Sequence, residues 1–382
     1  MIYLDNAATT RVAPEVFEAM APFLQDEYGN PSSVYALAGR SAAALQQARQ
    51  AVADHIGARP DEVIFTGGGS EADNLAIKGT MRKFGDGHMI TSAIEHHAVL
   101  HTCQALQDEG FELTILPVDQ NGLVDPEDVR KAIRPDTRLI TIMHANNEVG
   151  TIEPIAEIAA IAREAGVKMH TDAVQSLGKI PIDVDELGVD MMAFSAHKLH
   201  GPKGVGALYV RKGFRPQPLV VGGGQEHGLR AGTENVPGIV GFGRAVELAR
   251  DLGPEPVERM RALRDRLIEG VMERIPEVIL SGHPEQRLPN IASFMFRYIE
   301  GEGILLSLDM NDIAASSGSA CTSGSLDPSH VLLAMGYPHE VAHGSLRLSL
   351  SRYTTDEEID TVLEVLPPII ERLRNMSPLY PG

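Results

Sequence analysis

The chain contains few cysteines. Its 382 residues include only two, Cys103 and Cys321. A disulfide-rich secreted scaffold or a zinc site with four cysteine ligands needs more thiols, so both classes are excluded. Cys103 stands in an apolar stretch with helical spacing, which predicts a buried and inert cysteine. Cys321 stands among small polar residues that cannot bury it, so we expect a reactive thiol, the alternative being an incidental residue in a linker.

Basic residues, long apolar runs and a secretion signal are lacking as well. The 33 Lys and Arg residues are outnumbered by 52 Asp and Glu residues, which gives a net charge of −19. This excess argues against a nucleic-acid partner, because phosphate backbones are bound by clustered cations. No run of about 18 apolar residues occurs, so the sequence predicts no membrane span. The first ten residues do not resemble a signal peptide, and we expect a cytoplasmic protein.

Seven short apolar segments in the first two thirds of the chain predict strands. They are Val63–Thr66, Met89–Ser92, Leu113–Pro117, Leu139–His144, Lys168–Thr171, Met191–Ser195 and Gly206–Val210. Helical spacing recurs between them, in Val99–Asp108, Pro126–Ile133 and Ile155–Ala165. This alternation predicts an α/β fold with a mostly parallel sheet that helices cover on both faces. The last two strands are close in sequence, which allows an antiparallel edge.

The pattern changes near residues 251–256, where two prolines and a glycine occur. Apolar residues at three- and four-residue spacing from Val257 to Val271 then predict an amphipathic helix. Two strand-like segments follow, Val278–Leu280 and Ile291–Phe296. We therefore predict a large domain at 15–250 and a smaller α+β domain formed by 1–14 and 251–382.

The last helix is predicted at Thr355–Leu373. It opens with a capping box formed by Thr355 and Glu358. Pro367 and Pro368 lack the backbone N–H that a helix interior needs, so we expect them to kink or interrupt this helix.

A glycine-rich turn, Gly67–Ser70, follows the first predicted strand and leads into a helix. Backbone amides at the start of a helix bind an anion and the Ser70 hydroxyl adds a donor, so the turn is a candidate phosphate site. A flexible turn with Ser70 as a helix cap is the alternative. The residues match neither the P-loop nor the G-x-G-x-x-G pattern, which argues against a nucleoside triphosphate or NAD.

Asp172 and Lys198 each stand where a predicted strand ends. This edge is where α/β sheets place their ligands. Asp172 could hold a protonated ring nitrogen or cap the next helix, and Lys198 could form a Schiff base or be a solvated loop residue. An anion loop, a strand-end carboxylate and a strand-end lysine are together the groups that pyridoxal phosphate needs.

Two more polar segments end predicted strands. Thr91–His97 presents imidazoles that could stack on a cofactor ring. His97 and His101 form a possible metal pair without a third ligand, so zinc is not expected. His144–Gly150 contains two adjacent asparagines, whose amides suit a ring hydroxyl, a substrate carboxylate or a turn.

With these motifs the chain resembles the cysteine desulfurases of the NifS/IscS type, which are class V pyridoxal-phosphate enzymes of fold type I. The resemblance runs from end to end. The segments that carry it are Tyr3–Thr10, Gly29–Ser33, Glu95–His96, Asn146–Gly150, Asp172–Gln175, Ser195–Lys198, Ser316–Thr322 and Ser345–Ser349. It implies a mostly parallel seven-stranded sheet flanked by helices, together with the smaller domain, which would carry Cys321 on a mobile loop.

The resemblance also implies roles for single residues. The residues implied to bind pyridoxal 5'-phosphate are Gly69, Ser70, His96, Asn147, Asp172, Gln175, Ser195, His197, Lys198 and Thr233. Lys198 would form the Schiff base and move the proton at the substrate α-carbon. Asp172 would pair with the pyridine nitrogen, and His96 would stack on the ring. Gln175 and Asn147 would contact the region of the ring hydroxyl.

The phosphate and the substrate have their own implied ligands. The residues that would hold the phosphate are Gly69, Ser70, Ser195 and His197, joined by Thr233 from the second subunit of a homodimer. Arg347, together with Asn147, would bind the substrate α-carboxylate, because a planar guanidinium matches a planar anion. The implied catalytic residues are Cys321 as the nucleophile, Lys198 and His96.

The activity implied by the resemblance is conversion of L-cysteine to L-alanine, with the sulfur transferred to Cys321 as a persulfide. An iron–sulfur scaffold or another acceptor protein would then receive the sulfur. One segment departs from the family pattern: Thr66–Glu71 reads Thr-Gly-Gly-Gly-Ser-Glu, where Thr-Ser-Gly-Ala-Thr-Glu is usual. The extra glycines are expected to loosen this turn and to weaken cofactor binding.

Two other functions remain open at this point. A selenocysteine lyase or a small-substrate aminotransferase would share the fold, although a transaminase has no use for a mobile thiol such as Cys321. A non-catalytic protein that keeps the fold would bind no cofactor, yet Lys198, Asp172 and His96 are all present.

Overall fold

A seven-stranded sheet forms the centre of the first two thirds of the chain. The computed structural model describes residues 1–318 and 327–381. The described strands are β1 Ile2–Tyr3, β2 Val63–Thr66, β3 His88–Ser92, β4 Glu112–Leu116, β5 Thr137–Thr141, β6 Lys168–Asp172, β7 Met191–Ser195, β8 Gly206–Val210, β9 Val278–Leu280, β10 Ile291–Phe296, β11 Ile313–Ala314 and β12 Ser345–Ser349. The central sheet has the order β2-β8-β7-β6-β5-β3-β4. Strands β3 to β7 are parallel, whereas β8 runs antiparallel to β7 and to β2.

Helices cover both faces of this sheet. The described helices are α1 Pro14–Met20, α2 Pro22–Gln25, α3 Ala36–Ile56, α4 Gly69–Phe84, α5 His97–Asp108, α6 Pro126–Ala132, α7 Ile155–Glu164, α8 Val184–Leu187, α9 Val236–Asp251, α10 Glu255–Arg274, α11 Gly301–Asp309, α12 His330–Ala334, α13 His339–Ala342 and α14 Asp356–Met376. None of these helices is long and apolar enough to cross a bilayer.

Alternate residues of the strands enter two separate apolar clusters, as side chains on a pleated sheet must. Met192 of β7 belongs to the cluster that contains Phe242 of α9. Met191, one residue earlier, belongs to the opposite cluster with Leu75 of α4 and Cys103 of α5. The predictions of a sheet covered on both faces and of a buried Cys103 are therefore confirmed.

The predicted position of β8 is wrong in one respect. It pairs antiparallel with β7, as its short connection allows, but it does not form the edge of the sheet. Strand β2 pairs with the other side of β8 and is itself the edge strand. This order depends on contacts between strands that are distant in sequence, which local patterns do not report.

A second group of strands lies in the last third of the chain. Strands β12, β10 and β9 form an antiparallel sheet, and β1 pairs in parallel with β11. Leu4, Phe294, Leu346 and Leu366 share one apolar cluster there, which the helices α10, α11 and α14 also line. The first residues of the chain thus join strands from its last quarter, while the predicted domain boundaries stay a prediction.

Helix α14 continues through Pro367 and Pro368, so of the predicted kink or interruption the interruption does not occur. The predicted capping box of Thr355 and Glu358 is present at its start. Pro367 removes the N–H that would bond to the carbonyl oxygen of Leu363 four residues earlier. Arg274 Nη1 of α10 donates to that oxygen at 2.8 Å, which replaces the lost donor.

Candidate active site

Six strands of the central sheet end at one edge, and five of them deliver predicted residues there. Strand β2 runs in the same direction as β3 to β7, so the carboxyl ends of all these strands lie along that edge. The residues that the strands deliver there are Gly69 after β2, His96 after β3, Asn147 after β5, Asp172 at the end of β6 and Lys198 after β7. The structure therefore brings the sequence-predicted residues together.

Lys198 is bound by the first residues of the chain. Its Nζ donates to the carbonyl oxygens of Ala7 at 2.6 Å and Ala8 at 2.7 Å. Gln175 Nε2 donates to the same Ala7 oxygen at 2.9 Å. Lys198 and Gln175 thus converge on one carbonyl group. The sequence gives no sign of these acceptors, because every residue possesses a backbone carbonyl.

Asp172 is a buried carboxylate at the end of β6, with 6% of its surface exposed. Its Oδ1 accepts a hydrogen bond from Val174 N at 2.9 Å. Burial raises the pKa of Asp172 to about 6, although the Val174 N–H and the nearby Lys198 ammonium oppose the shift. The group is therefore mainly ionised at pH 7, as pairing with a protonated ring nitrogen requires.

The glycine turn forms the N-terminus of the 16-residue helix α4. Gly68, its N-cap, has φ 156° and ψ 178°, a conformation that essentially only glycine adopts. A Cβ added to Gly69 would lie 2.7 Å from Val174 Cγ2 and 3.4 Å from Ser195 Cβ. The positive end of the helix therefore lies directly against the ends of β6 and β7.

An ion pair braces this turn. Gly67 N donates to Glu71 Oε2 at 2.8 Å, and Arg230 Nε donates to Glu71 Oε1 at 2.9 Å. Arg230 belongs to the segment between β8 and α9 and offsets the negative charge of Glu71 near the helix start. The glycines thus have defined contacts on one side of the turn.

Cationic and neutral nitrogen groups surround the end of β7. Burial and the Lys198 ammonium lower the pKa of His197 to about 4, and His197 Nδ1 lies 3.1 Å from Thr9 Oγ1. Burial, with Lys198 again, lowers the pKa of Lys179 to about 7, while its Nζ donates to Gln175 O at 2.8 Å. The ammonium group of Lys198, with the nitrogen groups of Lys179 and His197 near it, suits a phosphate group.

His96 is the N-cap of α5. Its Nδ1 accepts from Ala98 N at 3.1 Å, so the proton of the neutral ring is assigned to Nε2. Burial, followed by the charge of Lys198, lowers the pKa of His96 to about 4. The ring is therefore neutral at pH 7 and suited to stacking.

A stack of three other imidazoles lies beside His96. The ring centroids of His97 and His101 are 4.5 Å apart, and those of His97 and His330 are 4.7 Å apart. Within residues 1–318 and 327–381, no group of three metal-ligating side chains has the geometry to hold a metal ion.

Arg347 of β12 lies next to Asn147, as predicted for a carboxylate site. Its Nη1 donates to Asn147 O at 2.8 Å and its Nη2 donates to Asp5 Oδ1 at 2.9 Å. Its Nε is buried and has no partner in the described part of the chain. Asp5 is a contact that the sequence analysis did not assign.

Three predicted residues do not gain such contacts here. Ser70 is exposed on the first turn of α4, and Thr233 is exposed between β8 and α9. Cys321 lies outside the described residues. The roles assigned to these three therefore stay predictions.

Two buried carboxyl groups behind the site were missed. Glu95 is fully buried, Ser92 Oγ donates to its Oε1 at 2.6 Å, and burial raises its pKa to about 8. Asp73 Oδ1 lies 3.6 Å from His170 Nε2, and burial and the neighbouring Asp172 raise the pKa of Asp73 well above its usual range. Glu95 is therefore mainly protonated at pH 7, and burial together with the neighbouring acids disfavours the charged form of Asp73.

These residues fit pyridoxal phosphate. Gln175 Oε1 is buried without a partner in residues 1–318 and 327–381, and buried polar atoms of this kind are usually satisfied by a partner such as a ligand. The helix start at Gly69 offers amides to a phosphate, and Asp172 offers a carboxylate to a ring nitrogen. The Lys198 charge lowers the pKa of His96, which shows that the two residues are near each other.

Known proteins match this chain over nearly its whole length. Residues 2–362 match the family described as aminotransferase class-V. A Methanosarcina thermophila protein named cysteine desulfurase IscS is 56% identical over 382 residues, which cover 100% of this chain and 94% of that protein. The chain belongs to the cysteine desulfurases.

Solved structures agree with this membership. A NifS-like protein, 40% identical, gives a TM-score of 0.92 and covers 97% of this chain and 100% of its own. A structure titled SspA in complex with cysteine, also 40% identical, gives 0.83 and covers 93% and 100%. Cysteine desulfurases are pyridoxal-phosphate enzymes, so the predicted family, α/β fold and cofactor are confirmed.

Proposed function

We propose that this cysteine desulfurase converts L-cysteine to L-alanine and transfers the sulfur to Cys321. The observation that carries the proposal is the placement of Lys198 beside the buried carboxylate of Asp172, with Gln175 on the same Ala7 oxygen. The solved SspA complex, whose title names cysteine as its ligand, supports the substrate.

The residues of the site divide the chemistry among them. Pyridoxal phosphate, when bound, supplies an electron sink for bonds at the substrate α-carbon. Asp172 keeps a proton on the ring nitrogen, because its carboxylate is ionised above about pH 6. Lys198 takes the proton from the substrate α-carbon. His96, neutral and half-buried, would lie against the ring and exclude water from it.

The substrate is oriented through its carboxylate. Arg347 is buried with an unpartnered Nε, so it offers a donor to a planar anion within the described site. Asn147 lies against the same guanidinium and completes the pocket. Asp5, which accepts from Nη2, fixes the plane of the guanidinium.

Sulfur transfer follows from this placement. The Cys321 thiolate attacks the substrate sulfur, a sulfur–sulfur bond forms, and the bond between that sulfur and the substrate β-carbon breaks. The electron pair of the broken bond stays with the substrate carbon, which takes up a proton and leaves as L-alanine. One thiol and one L-cysteine give one persulfide and one L-alanine, so no external oxidant is needed.

The enzyme is proposed to act as a cytoplasmic homodimer. Large apolar side chains are exposed on the chain, namely Phe17, Leu24, Tyr28, Val34, Tyr35 and Val221. A contiguous patch of such side chains would mark an interface. A second copy would cover it and bring its exposed Thr233 to the phosphate site. The persulfide then passes to an iron–sulfur scaffold or another acceptor protein.

A pair of cysteine variants tests the proposal. The Cys321→Ser holoenzyme should retain the cofactor absorbance and its change on addition of L-cysteine, but it should form no L-alanine. The matched control is Cys103→Ala, which removes the buried thiol of α5 and should keep the turnover. Full L-alanine production by the Cys321→Ser enzyme would refute the nucleophile assignment.

A further inference from the structure

Glu148 lies between Gly318 and Ser329, which stand on either side of residues 319–326. Gly318 precedes that segment, and Ser329 follows it and caps α12. Ser329 Oγ donates to Glu148 Oε2. A Cβ added to Gly318 would overlap the same Oε2 and lie 2.8 Å from Ser329 Cβ. The Glu148 carboxyl group therefore lies against both Gly318 and Ser329.

The same contacts continue to the proposed substrate site. Asn147, the residue before Glu148, accepts from Arg347 Nη1 at 2.8 Å. The backbone of Arg347 pairs with Ser316, through Arg347 N to Ser316 O at 2.7 Å and Ser316 N to Arg347 O at 3.2 Å. The segment Ser316–Gly318 is therefore held by backbone hydrogen bonds between Ser316 and Arg347, and the Glu148 side chain packs against Gly318.

The residues that follow 319–326 are also attached to the site. His330, next to Ser329, places its Nε2 3.0 Å from Glu95 O, directly before His96. The residues before the segment therefore lie beside Arg347, on the proposed carboxylate side of the site. The residues after it lie close to His96, on the proposed ring-stacking side. Glu148 is the residue that joins them.

A buried carboxyl group at this place needs an explanation. Glu148 is 4% exposed, and burial raises its pKa to about 7 against the opposing effects of Ser329 and Arg347. Arg347 is the charged group that faces it. Neither cofactor binding nor proton transfer, as proposed above, uses this side chain.

We propose that Glu148 is a positioning residue for sulfur transfer. It holds Gly318 and Ser329, which stand on either side of the segment with Cys321, beside the substrate-binding Arg347. The inference rests on the proposed function, in which Cys321 is the nucleophile. Cys321 follows Gly318 by three residues in the sequence, which is a short covalent link. Fixing Gly318 near the substrate raises the local concentration of the thiol.

Two reactions of the holoenzyme separate positioning from general damage. The first is single-turnover persulfide formation on Cys321, followed by mass spectrometry. The second is exchange of the L-alanine α-hydrogen for deuterium, which uses Lys198 and not Cys321. Glu148→Ala should slow persulfide formation about 10- to 100-fold and leave the exchange unchanged. Glu148→Gln should restore the rate, because its amide oxygen accepts from Ser329.

Changes at the partners should give the same selective loss. Ser329→Gly removes the donor at a small capping cost, and Gly318→Ala places a methyl group against Glu148. Combining Ser329→Gly with Glu148→Ala should add little to either single loss, since both remove one contact. The control is Gly39→Ala in α3, where an added Cβ meets nothing within 4 Å.

Failure of the positioning role can be distinguished from failure of the proposed function. A Glu148→Ala enzyme that forms persulfide at the unaltered rate would overturn the positioning role. So would an equal loss of α-hydrogen exchange, or a Glu148→Gln enzyme as slow as Glu148→Ala. Absence of any persulfide on Cys321 in the unaltered enzyme would refute the proposed function itself, and this inference with it.

Discussion

Arg274 Nη1 donates at 2.8 Å to the carbonyl oxygen of Leu363, the oxygen that Pro367 leaves without a helical donor. The arginine belongs to α10 and the carbonyl to α14, so one helix repairs the hydrogen bonding of another. The next freed carbonyl, that of Glu364, belongs to an exposed residue and can bond to water.

Arg274→Met should therefore destabilise the protein. Methionine keeps the apolar stem but leaves the Leu363 carbonyl without a donor, which costs about 1–3 kcal/mol of unfolding free energy. Urea denaturation measures the loss. Arg261→Met, at an exposed position of the same helix, should leave the midpoint unchanged. Equal midpoints for the two variants would contradict the repair.

Glu95 should make the stability of the cofactor-free protein depend on pH. Its folded-state pKa of about 8 lies above the value of an unfolded glutamate, so folding takes up a proton between about pH 4.5 and 8. The contribution of Glu95 to the free energy of unfolding is fully present below pH 4.5 and is lost as the pH rises through 8. Glu95→Gln should reduce the slope of the unfolding free energy against pH by up to about 1.4 kcal/mol per pH unit.

Urea titrations at several pH values provide that measurement. Glu157→Gln, at an exposed position of α7, is the control and should keep the original slope. An unchanged slope in Glu95→Gln would mean that this carboxyl group is not protonated in the folded protein.

Asp172→Asn should abolish most of the activity without unfolding the protein. The amide oxygen still accepts from Val174 N, but the negative charge for a ring nitrogen is gone. We expect L-alanine production to fall about 10²- to 10³-fold. The cofactor-free protein should bind pyridoxal phosphate less well as the pH falls through about 6, where Asp172 takes up a proton, and the variant should lack this step.

The exposed Asp185→Asn in α8 is the control for that experiment and should keep both the rate and the pH profile. Retained turnover in Asp172→Asn would exclude the carboxylate as the partner of the ring nitrogen.

Arg49→Met should be strongly destabilising. Arg49 forms two hydrogen bonds of 2.7 Å with the buried Glu226, which also accepts from Phe65 N in β2. Removing one partner leaves a buried charge and costs about 3–5 kcal/mol in the free energy of unfolding. Arg40, on the same helix as Arg49, forms a solvent-accessible pair with Glu27, and Arg40→Met should cost under about 1 kcal/mol. Similar denaturation midpoints would contradict this difference.

Local sequence patterns predicted most of the sheet. Strands β2, β7 and β8 have the predicted ends, because a short run of apolar residues between turns reports a doubly buried strand. The strand-end positions of Asp172 and Lys198 followed from the same pattern. The edge position of β2 did not, since it depends on pairing between residues that are far apart in the chain.

The missed features share one physical cause. The bonds from Lys198 to Ala7 and Ala8, and from Arg274 to Leu363, end on backbone carbonyls, which every residue possesses. The burial of Glu148 depends on three segments that meet only in the folded protein. No spacing or composition in the sequence reports such meetings.

The contacts of the first residues set the order in which this enzyme can mature. Asn6 Nδ2 bonds to Ser349 O across 343 residues of sequence, and the acceptors of Lys198 follow directly after Asn6. A ribosome releases these acceptors early, but the strand that anchors them emerges near the end of synthesis. The growing chain therefore carries an unfinished lysine site throughout most of translation. We therefore expect cofactor capture to require the nearly completed polypeptide.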